Sequence, residues 1–142
     1  MYIDALTLFS DAQAITAAAA STSYIDLGVA RGLADGTPLY VAISVDVAFT
    51  DSSSDSTLTV DLYFDSTTTF TPDASQTLCI IPAVSAIGYK RVIPIAPLVT
   101  DYRYVQLYYT PNNGNLSAGS VSASIVLHAE LNKYYASGYT LF

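Results

Sequence analysis

Apolar and polar residues alternate along most of the segment 39–131, with the period of two that is typical of half-buried β-strands. The most regular run is residues 40–49, whose odd-numbered members are all apolar. A polar loop of serine and aspartate follows, and the alternation resumes over residues 58–65. Because a loop of this length can close an antiparallel pair, the two runs predict a hairpin with an extended tip.

Four further segments have strand character. Residues 76–81 and 90–95 contain or precede prolines, which cannot donate to a ladder and favour edge or bulged strands. Residues 102–110 alternate again, and the Asn-Gly pair after them is a strong turn signal, because these residues readily take a positive φ. The last run, residues 121–131, places its apolar residues on one face and His128 on the other.

The N-terminal part of the chain carries two conflicting signals. The motif Ser10-Asp-Ala-Gln13 fits a helix capping box, and the alanine run after it favours a short helix over residues 11–20. The β-branched and hydroxyl residues of the same stretch favour extended structure. We expect extended segments at residues 13–16 and 24–27, with the helix as the alternative.

The predicted fold is all-β. About eight strands and no convincing long helix indicate an antiparallel β-sandwich, for which a jelly roll is the commoner eight-stranded arrangement. The length suits a single domain over residues 1–142. We expect an N-terminal arm at about residues 1–22 and a tyrosine-rich tail at about residues 132–142 to extend from it.

Composition and charge exclude several classes of partner. Charged residues make up only 12% of the chain, and the net charge is −7 with five Lys and Arg residues. No basic patch is available for nucleic acid, and no apolar run has membrane-spanning length. No signal peptide is visible at the N-terminus. Cys79 is the one cysteine, so no disulfide forms within the chain, and its apolar neighbours predict a buried thiol.

The residues that could carry catalysis are sparse. His128 is the only histidine, which argues against a histidine metal cluster and makes a Ser-His-Asp triad depend on this one residue. Asp61 and Asp65 could approach the spacing of a glycosidase pair, and Asp51 and Asp55 flank a loop that lacks the central glycine of an EF-hand. We therefore expect no enzyme, no cofactor and no metal. A small hydrolase stays as a minor alternative that requires His128 beside a carboxylate and a serine.

Tyrosine is the remaining distinctive feature. Tyr102, Tyr104 and Tyr108 share one face of a strand, and three tyrosines with a terminal phenylalanine occupy the tail. Such residues suit a protein surface, where tyrosine is enriched at binding hot spots, or a sugar that stacks on the rings. The structural alternative is that the strand tyrosines only form the second face of a sandwich.

The N-terminal half of the sequence resembles a known family. The resemblance rests on Phe9-Ser-Asp-Ala-Gln-Ala-Ile-Thr16, Ser21-Thr22, Ile25-Asp-Leu-Gly28, Pro38-Leu-Tyr-Val41 and Val45-Asp-Val-Ala-Phe-Thr50. These segments look like the capsid cement proteins of tailed bacteriophages, in particular the Bordetella phage cement protein family. The similarity covers roughly the first 60 residues, and the rest agrees only in β character and length.

The resemblance implies a jelly-roll protein that decorates the outer capsid surface and holds neighbouring capsomers together. Its implied partners are the major capsid protein and other copies of itself, as a homodimer or a homotrimer. The resemblance also implies that the protein is synthesised in the host cytoplasm and is located on the outer capsid surface of the virion. The alternative function is a carbohydrate- or receptor-binding β-sandwich module of a phage virion, against which the absence of tryptophan argues mildly.

The predicted interface combines the N-terminal arm, the tail, the strand tyrosines and several arginines that would pair with shell carboxylates. It comes from this sequence alone, because the family has no catalytic or contact motif to carry over. The predicted contact residues are Phe9, Ile15, Arg31, Arg91, Tyr102, Arg103, Tyr104, Tyr108, Tyr134, Tyr135, Tyr139 and Phe142.

Overall fold

The computed structural model describes residues 5–32, 34, 38–82, 89–97 and 100–127. Within these residues the chain forms a short 3-10 turn at Ala5–Thr7 and nine strands. The strands are β1 (Leu8–Ala14), β2 (Ala19–Ala20), β3 (Ile25–Arg31), β4 (Leu39–Thr50), β5 (Thr57–Asp65), β6 (Ala74–Ile81), β7 (Lys90–Pro94), β8 (Tyr102–Asn112) and β9 (Ala118–Leu127). The described part of the chain contains no helix of the length and apolarity that crossing a membrane requires.

The strands form two antiparallel sheets. One sheet has the order β1-β9-β4-β7, and the other has the order β2-β8-β5-β6 with β3 also paired to β8. The predicted hairpin of β4 with β5 is wrong, because the loop between them crosses from one sheet to the other. If β2 and β3 are taken as one interrupted strand along β8, each sheet has four strands and the chain crosses repeatedly between the sheets. This is the arrangement of a jelly roll, so the predicted antiparallel sandwich is confirmed.

The core lies between the sheets and follows the alternation of the sequence. The apolar members of β5 are 0–1% exposed, and those of β8 that point the same way are fully buried. Val47 is the exception to the predicted pattern, because it is 50% exposed. The pairing of β4 with β9 shifts register between Val45 and Val47, so the Val47 side chain points away from the core. Phe49, two residues later, is buried in the core again.

The N-terminal residues lie within the sandwich. β1 is the edge strand of the first sheet and β2 pairs with β8 in the second, so residues 5–22 are not an arm and contain no α-helix. Strand structure there is confirmed, although β1 ends at Ala14 rather than beginning near Gln13. The two ends of the predicted capping box serve the strand: the Ser10 hydroxyl donates to Gln13 Oε1 at 2.8 Å, and Gln13 Nε2 donates to the Ala20 carbonyl at 2.8 Å.

Candidate functional site

The outer face of the second sheet carries a group of aromatic rings, which we call the tyrosine face: Tyr24, Tyr63, Phe70, Tyr104 and Tyr108. Three of them are placed by the period of two, since their strand neighbours Phe64, Val105 and Leu107 point into the core and are fully buried. The other two come from connections, one directly before β3 and one between β5 and β6. Together they bring segments from four parts of the chain onto one surface.

Two of these rings form a stacked pair in the middle of the sheet. The centroids of Tyr63 and Tyr108 lie 5.1 Å apart, and the ring planes differ by 11°. The register pairs Tyr63 with Gln106 and Asp61 with Tyr108, so the two tyrosines are diagonal neighbours on adjacent strands. Partial burial raises the pKa of Tyr63, with smaller contributions from Asp61 and Tyr108, so the Tyr63 hydroxyl is neutral at physiological pH.

The other three rings form an aromatic corner at the end of the sheet. Tyr24 meets Tyr104 edge to face, with centroids 5.7 Å apart and planes at 82°. The centroid of the Tyr24 ring also lies 5.8 Å from the centroid of the Phe70 ring, with the two ring planes at 51°. Tyr24 is 46% exposed. The backbone of Phe70 has φ at 44°, in the left-handed region that bulky residues seldom adopt, and this conformation places its ring at the corner. The corner is therefore an ordered aromatic surface that remains open to solvent.

An ion pair borders this corner. Arg103 donates from Nε and Nη2 to the two carboxylate oxygens of Asp26, at 2.9 and 3.1 Å, and its guanidinium lies 5.2 Å from the centroid of the Tyr104 ring. The Arg103 hydrogen bond, helped by the Gly28 N–H, lowers the pKa of Asp26, and the same pair raises the pKa of Arg103. Arg103 is thus engaged within its own chain, and pairing with a shell carboxylate would require it to share or leave Asp26.

The opposite end of the tyrosine face is sparsely charged. Asn112 Nδ2 donates to Thr59 Oγ1 at 2.7 Å, which links β8 to β5 through side chains. Asp61 is the charged residue among the outward positions of β5 in this region, and Thr77 Oγ1 donates to it at 2.7 Å. The surface here consists of hydroxyls, amides and rings, a composition that interfaces tolerate well.

The structure separates the predicted contact residues into several groups. Phe9 and Ile15 are 0% exposed, so their assignment to the interface is wrong: they anchor the N-terminal strand in the core. Tyr102 is half-buried, lies 6.0 Å from the Phe64 ring and packs at the margin of the core instead of on the outer face. Tyr104 and Tyr108 lie on the tyrosine face. The tail residues Tyr134, Tyr135, Tyr139 and Phe142 lie outside the described residues, as does His128.

The two remaining arginines are not part of the tyrosine face. Arg31 is exposed at the end of β3, where it pairs with Tyr102 in the ladder. Arg91 is exposed on β7, an edge strand of the other sheet, and donates to the Tyr89 hydroxyl at 3.4 Å. The predicted residues therefore do not form one continuous patch.

Three members of the tyrosine face were not predicted as contacts. Tyr63 occupies an outward position in the alternation of β5, between Asp61 and Asp65, so the sequence pattern does indicate the direction of its ring. Tyr24 and Phe70 lie in connections, where no periodicity indicates the direction of a side chain. The positive φ of Phe70 has no sequence signature, since phenylalanine is disfavoured there.

The acidic pairs considered as reactive groups serve local structure. Asp65 is 2% exposed, and its Oδ1 accepts hydrogen bonds from the Thr67 N–H and hydroxyl at 2.8 and 3.1 Å, so it does not form an open pair with Asp61. Asp51 accepts from the N–H groups of Asp55 and Ser56, and these bonds lower its pKa. Across the described ranges, no group of three or more His, Cys, Asp and Glu residues could hold a metal ion.

Comparison with solved structures finds viral proteins and a chitosan-binding module. A mutant VP2 protein of infectious bursal disease virus in T=1 particles shares 13% identity with a TM-score of 0.44, over 87% of this chain and 31% of that one. A chitosan-binding module from a chitosanase/glucanase of Paenibacillus sp. IK-5 shares 14% identity with a TM-score of 0.40, over 89% and 99%. The chain thus spans about a third of the VP2 length.

Sequence comparison assigns the family. No curated protein matches the chain. The family model named Bbp16 matches residues 9–125, which include every strand of the sandwich except the first residue of β1 and the last two of β9. The chain therefore belongs to the Bbp16 family of Bordetella phage proteins.

Proposed function

We propose that this protein is a capsid cement protein, which binds the outer surface of a tailed-phage capsid and bridges neighbouring capsomers by non-covalent contacts. Its partners are the major capsid protein and other copies of itself, as a homodimer or homotrimer. Family membership supports a place in the virion, and the observation that carries the contact function is the tyrosine face. The role is structural, and no catalytic step is assigned to any residue.

The tyrosine face suits binding because its side chains are already ordered in the free protein. The stacking of Tyr63 on Tyr108 restricts both side chains before any partner arrives. Ordering a flexible side chain at an interface costs about 0.5–1.5 kcal/mol, and a preorganised ring avoids much of that cost. Neutral rings and hydroxyls also avoid the desolvation penalty that a charged face would incur.

Repetition of a modest contact supplies the stabilisation of the shell. Each copy offers one tyrosine face, and a homo-oligomer offers several at fixed separations. Once one face is bound, the others bind as intramolecular events with a high effective concentration, so weak contacts add up. The rigid jelly roll sets those separations. We include the tail, residues 132–142, and the exposed Arg31 and Arg91 as additional contacts in this proposal.

The central experiment measures occupancy on expanded capsids that lack this protein. The double variant Tyr63→Ala, Tyr108→Ala should lower the affinity by tenfold or more, since each truncated hot-spot ring costs on the order of 2 kcal/mol. The matched control is Tyr40→Ala, a half-buried tyrosine on β4 of the other sheet. Equal occupancy for the double variant and the native protein would refute the contact through this face.

A separate variant tests the tail. Deletion of residues 133–142 leaves every described strand in place. Reduced occupancy of capsids by the shortened protein would support the tail as a contact. Unchanged occupancy would remove the tail from the proposal while leaving the tyrosine face untouched.

The aromatic corner favours a second candidate, a carbohydrate-binding module. Tyr24 presents an exposed ring, with Tyr104 at 82° to it and the Asp26–Arg103 pair beside it as acceptor and donor. A sugar ring could stack on Tyr24 and use that pair for its hydroxyls. A glycan array with the intact protein tests this reading. Glycan binding that is lost in Tyr24→Ala would favour it, and absence of binding to every glycan would reject it.

A further inference from the structure

The edge strands of the sandwich differ in how they are protected. An edge strand leaves roughly every second N–H and C=O pointing away from its sheet, which makes it a template for another strand. Proteins block such edges with charge, proline, bulges or irregular backbone. The described edges here are β1 and β7 in the first sheet, and β6 with the β2–β3 side in the second.

Three of these edges carry blocking features. β7 contains Lys90, Arg91 and Pro94 within five residues. The pairing of β1 with β9 contains two register shifts, and the backbone of Ala12 takes a positive φ of 47°. β3 is interrupted by Gly28 with φ at 81° and by a register shift before Arg31. None of the three offers a long regular ladder to a partner.

β6 has fewer of these blocking features. Its eight residues, Ala74–Ile81, include no charge and no proline. In the described part of the chain it pairs only with β5, with one register shift, and its other edge meets no strand. Cys79 and Ile81 anchor the strand in the core, whereas Ile80 on the outer face is 56% exposed. Among the described residues, the main chain of this neutral strand therefore pairs with no strand on one side, although the Gln76 side chain donates to the Ala96 carbonyl at 2.9 Å and accepts from the Ala96 N–H at 3.1 Å.

We propose that β6 is a strand-addition site, at which an extended, uncharged segment of the major capsid protein pairs with the open edge. The proposal rests on the cement function and names how the shell is held. Two observations select this occupant. The edge has no charge to attract a charged segment, and β6 adjoins β5, which carries Tyr63, so an added strand would lengthen the sheet that presents the tyrosine face. Main-chain hydrogen bonds to the edge would supply the affinity.

Amide hydrogen exchange on assembled particles tests the site directly. In the free protein, the outward amides of residues 74–81 should exchange quickly. On capsids they should slow by at least about tenfold, because each gains a main-chain acceptor. Unchanged exchange in this segment on fully occupied particles would overturn the proposal. Protection already present in the free protein, together with a dimer in solution, would assign the edge to a second copy and would also overturn it.

Three substitutions separate strand addition from other contacts. Ile80→Lys places a charge on the open edge and should reduce capsid affinity by about tenfold or more, a change of about 1.4 kcal/mol. Ile80→Thr keeps a strand-forming residue without charge and should bind within a few-fold of the native protein. Val29→Lys is the matched control, because Val29 is 58% exposed on β3 at the other side of the same sheet.

The pattern of these results decides the question. Loss in Ile80→Lys with retention in both other variants supports strand addition. Equal loss in Ile80→Thr would indicate recognition of the side chain and not of the backbone edge, and equal loss in Val29→Lys would indicate a general charge effect; either overturns the proposal. If Tyr63→Ala, Tyr108→Ala loses binding while Ile80→Lys does not, the cement function stands and the edge site fails.

Discussion

The contact between Gly119 and Phe49 gives the sharpest test of the packing. Gly119 lies in β9 with φ at 139°, and a methyl group added there would lie 2.6 Å from Cε1 and 2.9 Å from Cγ of Phe49. Carbon atoms in good contact are about 3.5–4.0 Å apart. The ring cannot move aside freely, because Phe49 is only 3% exposed within the core. We therefore expect Gly119→Ala to be strongly destabilising.

Two costs combine in this variant. Overpacking a well-filled core costs about 1–3 kcal/mol, and holding alanine at this φ costs about 1–3 kcal/mol. We expect the free energy of unfolding to fall by roughly 2–6 kcal/mol, which for a chain of this size lowers the Tm by roughly 5–20 °C. Urea unfolding followed by circular dichroism, together with calorimetry, measures both quantities.

A control and a double variant isolate the steric term. Gly28 also has a positive φ of 81°, but no atom lies within 4 Å of its added methyl, so Gly28→Ala carries only the backbone cost of about 1–2 kcal/mol. Phe49→Leu should make room, so Gly119→Ala should cost at least about 1 kcal/mol less in that background. Equal costs for the two glycines, or equal costs in both backgrounds, would refute the reasoning.

Three further predictions concern individual groups. Tyr109→Phe removes the buried 2.7 Å hydrogen bond to Ser10 and should lower the free energy of unfolding by about 1–2 kcal/mol in urea titrations; a stability equal to the native protein would contradict it. Because its partners lower the pKa of Asp26, that interaction stabilises the fold above pH 3.8 and is lost as the pH falls through the lowered value; in an NMR titration Arg103→Gln should return the pKa toward 3.8, and an unmoved value would reject the assignment. Burial raises the pKa of Cys79 to about 11, so roughly one molecule in a thousand carries a thiolate at pH 8 and native protein should react with a disulfide reagent far more slowly than unfolded protein; equal rates would be inconsistent with the buried thiol.

The predictability of the fold depended on the regularity of each strand. β4, β5 and β8 have long alternating runs, and a one-residue slip would expose a whole face, so their pattern alone places most of the core residues within these three strands. β1 and β2 are short, and their sequence also satisfies the local rules for a helix. Tertiary contacts decide between the two states, since burial of Phe9 and Ile15 is available only when the segment joins the sandwich.

The predictability of the site followed the same division. Alternation sufficed for Tyr104 and Tyr108, because the inward neighbours fix the direction of each ring. The Asp26–Arg103 pair joins residues 77 positions apart, so it depends on β3 lying beside β8, a strand order that no local pattern encodes. The position of the Phe70 ring depends on a turn in which Phe70 has a positive φ, and no sequence signal predicts that conformation for phenylalanine.

Residues on the regular strands and residues in the connections have different roles in the proposed attachment to the shell. The regular strands hold Tyr63 and Tyr108 at a fixed spacing, so their contact area is rigid and does not depend on ionic strength in the way that arginine–carboxylate pairs do. The connections contribute the aromatic corner, where an arginine is already neutralised by its own chain. Binding dominated by rings and backbone pairing should therefore persist in high salt, whereas binding dominated by Arg31 and Arg91 should weaken. The acidic, sparsely charged surface of this protein is consistent with the first kind of attachment, because a net charge of −7 would oppose docking on any negatively charged shell unless uncharged contacts carried most of the affinity.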